Sequence, residues 1–228
     1  MNLLVPKTPG QLRYVEALRN YQKPIVVATG PAGSGKTLFA CQEAVERLGR
    51  RQVDRVILTR PLVAADEELG YLPGTLERKM DPWTRPMFDI LGNYFTQSRI
   101  KQLVKDRVIE IAPLAYMRGR TFDGCFVVAD EMQNTTPNQM KMLLTRVGEG
   151  SKMVVTGDAE QCDLRDGIGG LSDLFPRMED GVLEYLEHVV LESEDIQRHQ
   201  DIHARGRSRS KEQEPGESRE ATMNRKAL

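Results

Sequence analysis

The stretch "GPAGSGKT", residues 30 to 37, constrains this chain more than any other. It follows an apolar run, "PIVVAT", and leads straight into a helix-forming one, "LFACQEAVERL". Strand, glycine-rich turn and helix in that order make a G-x-x-x-x-G-K-[ST] loop, whose backbone N–H groups wrap a phosphate at the positive end of the helix. Gly30, Pro31, Ala32, Gly33, Ser34 and Gly35 would form that loop. Lys36 is then placed to span the β- and γ-phosphates of a nucleoside triphosphate, and the Thr37 hydroxyl to ligate magnesium. An ordinary glycine-rich turn is the alternative, and the flanking strand and helix weigh against it.

Five further short apolar runs follow: "DRVILTRP" from 54, "RVIEIAP" from 107, "CFVVADE" from 125, "SKMVVTGD" from 151 and "EHVVLES" from 187. Near-continuous β-branched runs of this length, with helix-like stretches between them, are the mark of a parallel sheet covered on both faces. The expected fold class is therefore α/β. The first crossover helix is expected from Lys36 to Leu48 with Gly49 as its stop, and a short helix within "TPNQMKMLLTRV". The segment 68 to 91, "ELGYLPGTLERKMDPWTRPMFDIL", reads as too irregular for one crossover helix and is expected to be an insertion over one end of the sheet. From Arg205 the composition turns to Arg, Ser, Glu, Gly and Pro with little to bury, so the expected division is a domain over 1–204 and a disordered tail over 205–228.

"CFVVADEMQN" supplies a second chemical element, an apolar strand that delivers two acids. Asp130 is expected to hold the magnesium and Glu131, beside it, to polarise an attacking water. The bland alternative is an acid pair that caps the following helix. In "VVTGDAEQ", Gln161 is expected between the first two strands, within reach of the γ-phosphate, although "TGDAEQ" alone is only a turn.

Composition narrows the context. With 39% hydrophobic and 29% charged residues and a formal net charge of −1, the 228-residue chain reads as a soluble globular protein with no overall basic footprint, so a polyanion site must be local. Cys41, Cys125 and Cys162 are widely spaced, which points to reduced thiols rather than a zinc site or a disulfide framework. No apolar run approaches the ~20 residues of a membrane span, and "MNLLVPKTPGQ" is too short and interrupted for a signal peptide. The expected location is the cytoplasm.

The motifs together resemble the PhoH-like family of P-loop ATPases, whose core is similar to the first motor domain of superfamily 1 helicases, a RecA-like three-layer sandwich around a mainly parallel sheet. The resemblance runs through "TPGQLRYVEAL", "GPAGSGKT", "LTRP", "LGYLPG", "MDPWTRPMFDIL", "IAPLAYMRGRTF", "VVADEMQNTTPNQMKMLLTR", "TGDAEQCDL" and "DIQRH", roughly residues 8 to 199. It implies ATP and Mg2+ as cofactors, with Gln11 reading the adenine edge. It also implies a hexameric ring in which Arg198 of one subunit reaches the γ-phosphate held by its neighbour. A forked, permanently charged guanidinium suits the spread negative charge of the transition state. On the residues alone, Gln11 is a plain helix residue and Arg198 a solvated or salt-bridged one. The chain departs from the family after "DIQRHQ", where a proline and an apolar helix usually follow and "DIHARGRSRSKE" stands here.

The resemblance makes single-stranded nucleic acid the expected substrate, RNA before DNA. Arg60 in "LTRP" ends a strand where ligands of parallel sheets collect, and "MRGRTF" sets Arg118 and Arg120 beside Phe122. Those two arginines equally suit the ATP site or a subunit contact. The leading reading is thus an oligomeric, helicase-like ATPase. The alternative is an ATP-gated module that docks on a partner such as a nuclease or another RNA-processing protein. A small-molecule kinase is disfavoured, because such enzymes lack the adjacent Asp-Glu.

Overall fold

All six apolar runs form strands. The computed structural model describes residues 3–61, 76–164, 168–179 and 184–197. Its strands are β1 (Ile25–Thr29), β2 (Arg55–Thr59), β3 (Ile109–Ile111), β4 (Cys125–Ala129), β5 (Lys152–Gly157) and β6 (Leu186–Val190). They lie in the order β3-β2-β4-β5-β1-β6, and every pairing is parallel.

Alternation along the strands divides the core. Val26, Ala28, Val56, Leu58, Phe126, Val128 and Val154 point to one face and pack on α1 (Pro9–Arg19), α2 (Lys36–Gly49), α3 (Leu76–Leu91) and α4 (Gln97–Lys105). Val27, Ile57, Val127, Met153 and Val155 point to the other and pack on α5 (Pro137–Leu144) and α6 (Gly170–Glu179). Burial on both faces explains why β4 and β5 have no exposed residue and read as continuous apolar runs. This is the expected α/β three-layer sandwich. Local signals agree: Thr8 caps α1 ahead of Pro9, and Thr136 and Gln139 form a reciprocal capping box ahead of Pro137 in α5.

The segment 68–91 corrects the sequence reading. From Leu76 to Leu91 it is one continuous helix, α3, packed on α2 and the β2–β3 side of the sheet, and it is part of the β2-to-β3 crossover. An interior proline costs a helix roughly 3 kcal/mol. Burying two large apolar side chains returns about 1.5–3 kcal/mol each, and Met87 and Leu91, four apart on one stripe with Thr84, are fully buried while Pro86 faces solvent. Through Ile196 the chain makes one compact unit. Arg198 and the expected tail over 205–228 lie outside the described residues, as does the part of 68–91 before Leu76.

Because the strands are parallel, their carboxyl ends share one side of the sheet. Thr29 and Gly157 are in register across β1 and β5, as are Thr59 and Ala129 across β2 and β4. The residues that follow them, Gly30, Asp158, Arg60 and Asp130, are thereby gathered at one crevice.

Candidate functional site

The glycine loop turns as its sequence requires. Gly30 has φ 136° and Gly35 has φ 97°, both in the region that favours glycine. A side chain on Gly30 would also collide with the Leu191 carbonyl, which closes over the loop from the end of β6. The Lys36 ammonium folds back onto the loop and donates to the carbonyls of Gly30 (2.6 Å) and Pro31 (2.8 Å). Burial pulls its pKa down, against the opposing pull of the Asp158, Glu131 and Asp130 carboxylates. The loop rests on α1, where Tyr14 Oη donates to the Lys36 carbonyl (3.1 Å).

Gln11 is buried against the same loop. Its Nε2 donates to the carbonyls of Ser34 (3.2 Å) and Asp195 (3.0 Å), and its Oε1 accepts from the Lys7 N–H (2.9 Å). The carboxamide therefore ties the loop to the chain end at Asp195, and a purine edge would have to exchange for one of these bonds. Asp195 is itself an anchor that sequence reasoning missed. Its carboxylate accepts from the Thr8 hydroxyl and from the Glu192 N–H (2.8 Å). The Arg198 assignment, three residues further on, falls outside the described residues.

Across the crevice, Asp130 Oδ1 accepts two hydroxyls, from Thr37 (2.7 Å) and from Thr156 of β5 (2.6 Å). This unites the glycine loop, the acid-bearing strand and β5 at one oxygen. The donor set suits magnesium, a hard cation that keeps several waters and takes one or two protein oxygens beside substrate phosphates. Among the described residues no cluster of three or more His, Cys, Asp or Glu offers a closed metal cage. The only sequence sign of Thr156 is a hydroxyl directly after the apolar run Met153, Val154 and Val155.

Glu131 leaves β4 in a left-handed conformation, φ 56° and ψ 40°, which is uncommon for a side-chain-bearing residue. One carboxylate oxygen lies 3.3 Å from Arg60 Nη2, and the other accepts from Gln133 Nε2 at 2.6 Å. Gln133, also missed from sequence, is buried and accepts from the Asp158 N–H through its own Oε1 (3.1 Å). Gln161 does follow a strand lying between β1 and β4, and its side chain is exposed and donates to Asp158 Oδ2 (2.6 Å).

The three arginines offered for nucleic acid separate. Arg60 belongs to the acid cluster. Arg120 is forked onto Glu110 (2.6 and 3.0 Å) and stacks over Phe122, so one planar face and two of its donors are engaged. Arg118 is exposed and makes no hydrogen bond or ion pair among the described residues. The three cysteines are free thiols, and no described helix is long and apolar enough to cross a membrane.

A glycine loop closing on a lysine, a hydroxyl joined to a strand-end aspartate and an all-parallel sheet define a P-loop NTPase. More narrowly, residues 3–205 match the model of the family described as "PhoH-like protein", and the chain belongs to that family. It is 48% identical to a PhoH-like protein of Mycobacterium bovis over 212 residues, 92% of this chain and 59% of the relative. To a PhoH-like protein of Bacillus subtilis it is 46% identical over 193 residues, 85% of this chain and 60% of the relative. Escherichia coli protein PhoH is 44% identical over 180 residues, 78% of this chain and 50% of the relative. The chain thus spans about three fifths or less of these curated relatives. Among solved structures, Pif1 helicase of Candida albicans is similar at 12% identity and a TM-score of 0.39, over 83% of this chain and 41% of that one. That likeness is too distant to carry a functional argument.

Proposed function

We propose that the protein hydrolyses ATP with magnesium and couples turnover to single-stranded nucleic acid, RNA before DNA. The observation that carries the hydrolytic reading is the shared Asp130 oxygen, which joins Thr37 to the acid pair and leaves Glu131 as the neighbouring base. Lys36 would exchange the carbonyls of Gly30 and Pro31 for the β- and γ-phosphates, which are stronger acceptors for a cation. Thr37 and Asp130 are the groups that would hold magnesium, which supplies charge neutralisation at the phosphates. Glu131 then takes a proton from the attacking water. Gln161, on release from Asp158, would meet the γ-phosphate.

The remaining roles rest on family membership. We assign Arg198 to the neighbouring subunit's site in a homo-oligomeric, hexameric ring, and the adenine edge to Gln11. Of the three candidate arginines, Arg118 is the exposed one and would meet a strand phosphate.

Steady-state hydrolysis tests this, with the protein alone and with single-stranded RNA or DNA of matched length. Wild type is expected to turn over ATP faster with RNA. Glu131→Gln should still bind ATP while kcat falls by about 10²–10⁴, the usual worth of a general base. Normal turnover by Glu131→Gln removes Glu131 from the role. Indifference to both strands replaces strand coupling with ATP-gated docking on a protein partner, such as a nuclease.

A further inference from the structure

We infer that Tyr116 and Arg118 form a platform for single-stranded nucleic acid, on which one nucleobase stacks against the Tyr116 ring while a neighbouring phosphate meets Arg118. This rests on the strand-coupled reading above and adds to it the group that holds a base.

Phe122, the aromatic that the sequence sets beside Arg118 and Arg120, is fully buried beneath the Arg120 guanidinium and has no face to offer a base. Among the described residues three tyrosines are largely exposed, Tyr21, Tyr116 and Tyr185. Tyr21 lies between α1 and β1 with the Arg47 guanidinium over its ring, and Tyr185 directly precedes β6, so both belong to the amino end of the sheet. Tyr116 lies instead in the chain that leaves the carboxyl end of β3, the side on which Asp130 follows β4. Its backbone is fixed while its ring is not. The Tyr116 N–H closes a short 3-10 turn on the Pro113 carbonyl (2.9 Å), and Leu114 and Met117 to either side are buried. The side chain itself is 63% exposed and makes no hydrogen bond or ring stack among the described residues. Arg118 stands at the tip of the next turn, which the Arg120 N–H closes on the Met117 carbonyl (3.1 Å) and which Gly119 permits with φ 78°. The far side of that turn is held by the Arg120 fork on Glu110 and by Arg146, which donates to the Arg120 carbonyl (2.9 Å). Ring and guanidinium are thus presented two residues apart on a held backbone, which lowers the ordering cost of binding. Every base has a π-face for such a ring, and the cation adds a salt-dependent share of the affinity.

Fluorescence anisotropy of a labelled single-stranded RNA, and of an abasic ribose-phosphate strand of the same length, tests the platform in wild type, Tyr116→Ala, Tyr116→Phe and Arg118→Ala. Tyr116→Ala should bind the RNA about ten-fold more weakly, the order of one stacked base, and bind the abasic strand as wild type does. Tyr116→Phe, which keeps the ring, should match wild type on both. Arg118→Ala should weaken both strands and flatten the dependence of log Kd on log salt by about 0.7, the share of one phosphate contact, whereas Tyr116→Ala leaves that slope alone. Equal RNA binding by wild type and Tyr116→Ala overturns the platform and leaves strand coupling standing, while a wild type that binds neither strand overturns both. A Tyr116→Ala loss of the same size on the abasic strand, or a change in its assembly state by light scattering, makes Tyr116 a scaffold or subunit contact and also overturns the platform.

Discussion

The two ends of the sheet each bury a lysine on backbone carbonyls, and the lysines are built for opposite purposes. At the carboxyl end, Lys36 donates to two carbonyls of its own loop, five and six residues away. At the amino end, Lys152 opens β5 and donates to Ala17 (2.9 Å), Asn20 (2.8 Å) and Lys23 (2.7 Å), all more than a hundred residues earlier. Lys36 is 9% exposed beside three carboxylates, while Lys152 is 2% exposed at the C-terminal end of α1. Nearby, Arg47 donates to the Leu18 carbonyl (2.7 Å) and stacks on Tyr21. Cations at a helix C-terminus satisfy its orphan carbonyls and oppose its dipole. A lysine bound only to carbonyls of its own loop can exchange partners at small cost; one that joins α1, the following turn and β5 cannot.

Between these two lysines the largest effect should come from Lys36. Lys36→Ala is expected to lower kcat/KM for ATP by about 10²–10³, as loss of one preorganised cationic donor does, while the unfolding midpoint stays within a degree or two of wild type. Hydrolysis kinetics and a thermal melt on the same preparation check both halves. A large fall in the melt would make Lys36 a structural cation like Lys152 and erase the contrast.

Sequence pattern carried one lysine and not the other, for a physical reason. Lys36 sits in a motif whose spacing has a mechanism, so its role follows from its neighbours in the chain. Lys152 reads as an ordinary charged residue before an apolar run, and its partners are brought to it only by the pairing of β5 with β1. The same divide runs through the molecule. The strands and the bounds of α2 were legible because burial on both faces writes itself into every residue. The helix α3 was not, because its prolines signal a break and the stripe that overrides them is buried only against α2 and the sheet. Asp130 and Glu131 stood out as an acid pair, whereas Thr156 and Gln133 are polar residues that acquire meaning from contacts across strands. Charge alone did not say that Arg120 is locked on Glu110.

A pH series on Lys152 sharpens the contrast further. Burial pulls its pKa down to about 7, whereas in the unfolded chain a lysine holds its proton to about 10.4. Between those values the unfolded state binds more protons than the folded one, so this group's contribution to stability rises as pH climbs through 7. Lys152→Met should therefore be destabilised more at pH 9, where wild type keeps amine hydrogen bonds without a buried charge, than at pH 6. At pH 9 the neutral amine has two N–H groups to give, so Met strands the two carbonyls they serve, at a cost of about 2 kcal/mol, or roughly 4–8 °C in the melting midpoint. Turnover per folded molecule should hold. A deficit that shrinks with rising pH would mean that the carbonyl cage favours the ammonium more than burial opposes it.

The smallest effect joins the two ends, because α1 touches both. Its N-terminal turn reaches the glycine loop through Gln11 and Tyr14, and its C-terminal carbonyls receive Lys152 and Arg47. The Thr8 hydroxyl fixes that N-terminal turn twice, accepting from the Gln11 N–H (3.2 Å) and donating to Asp195. Thr8→Ala removes a helix cap worth about 1 kcal/mol, which lowers the midpoint by roughly 2–4 °C. If α1 is one rigid strut, that loosening reaches the Gln11 contact with Ser34 and raises the KM for ATP about two-fold, of the order of a weakened neutral hydrogen bond, with kcat unchanged. A KM that stays put while the melt drops would show that the glycine loop holds its shape without α1. Lys36 would then owe its exchangeable state to the loop's own carbonyls.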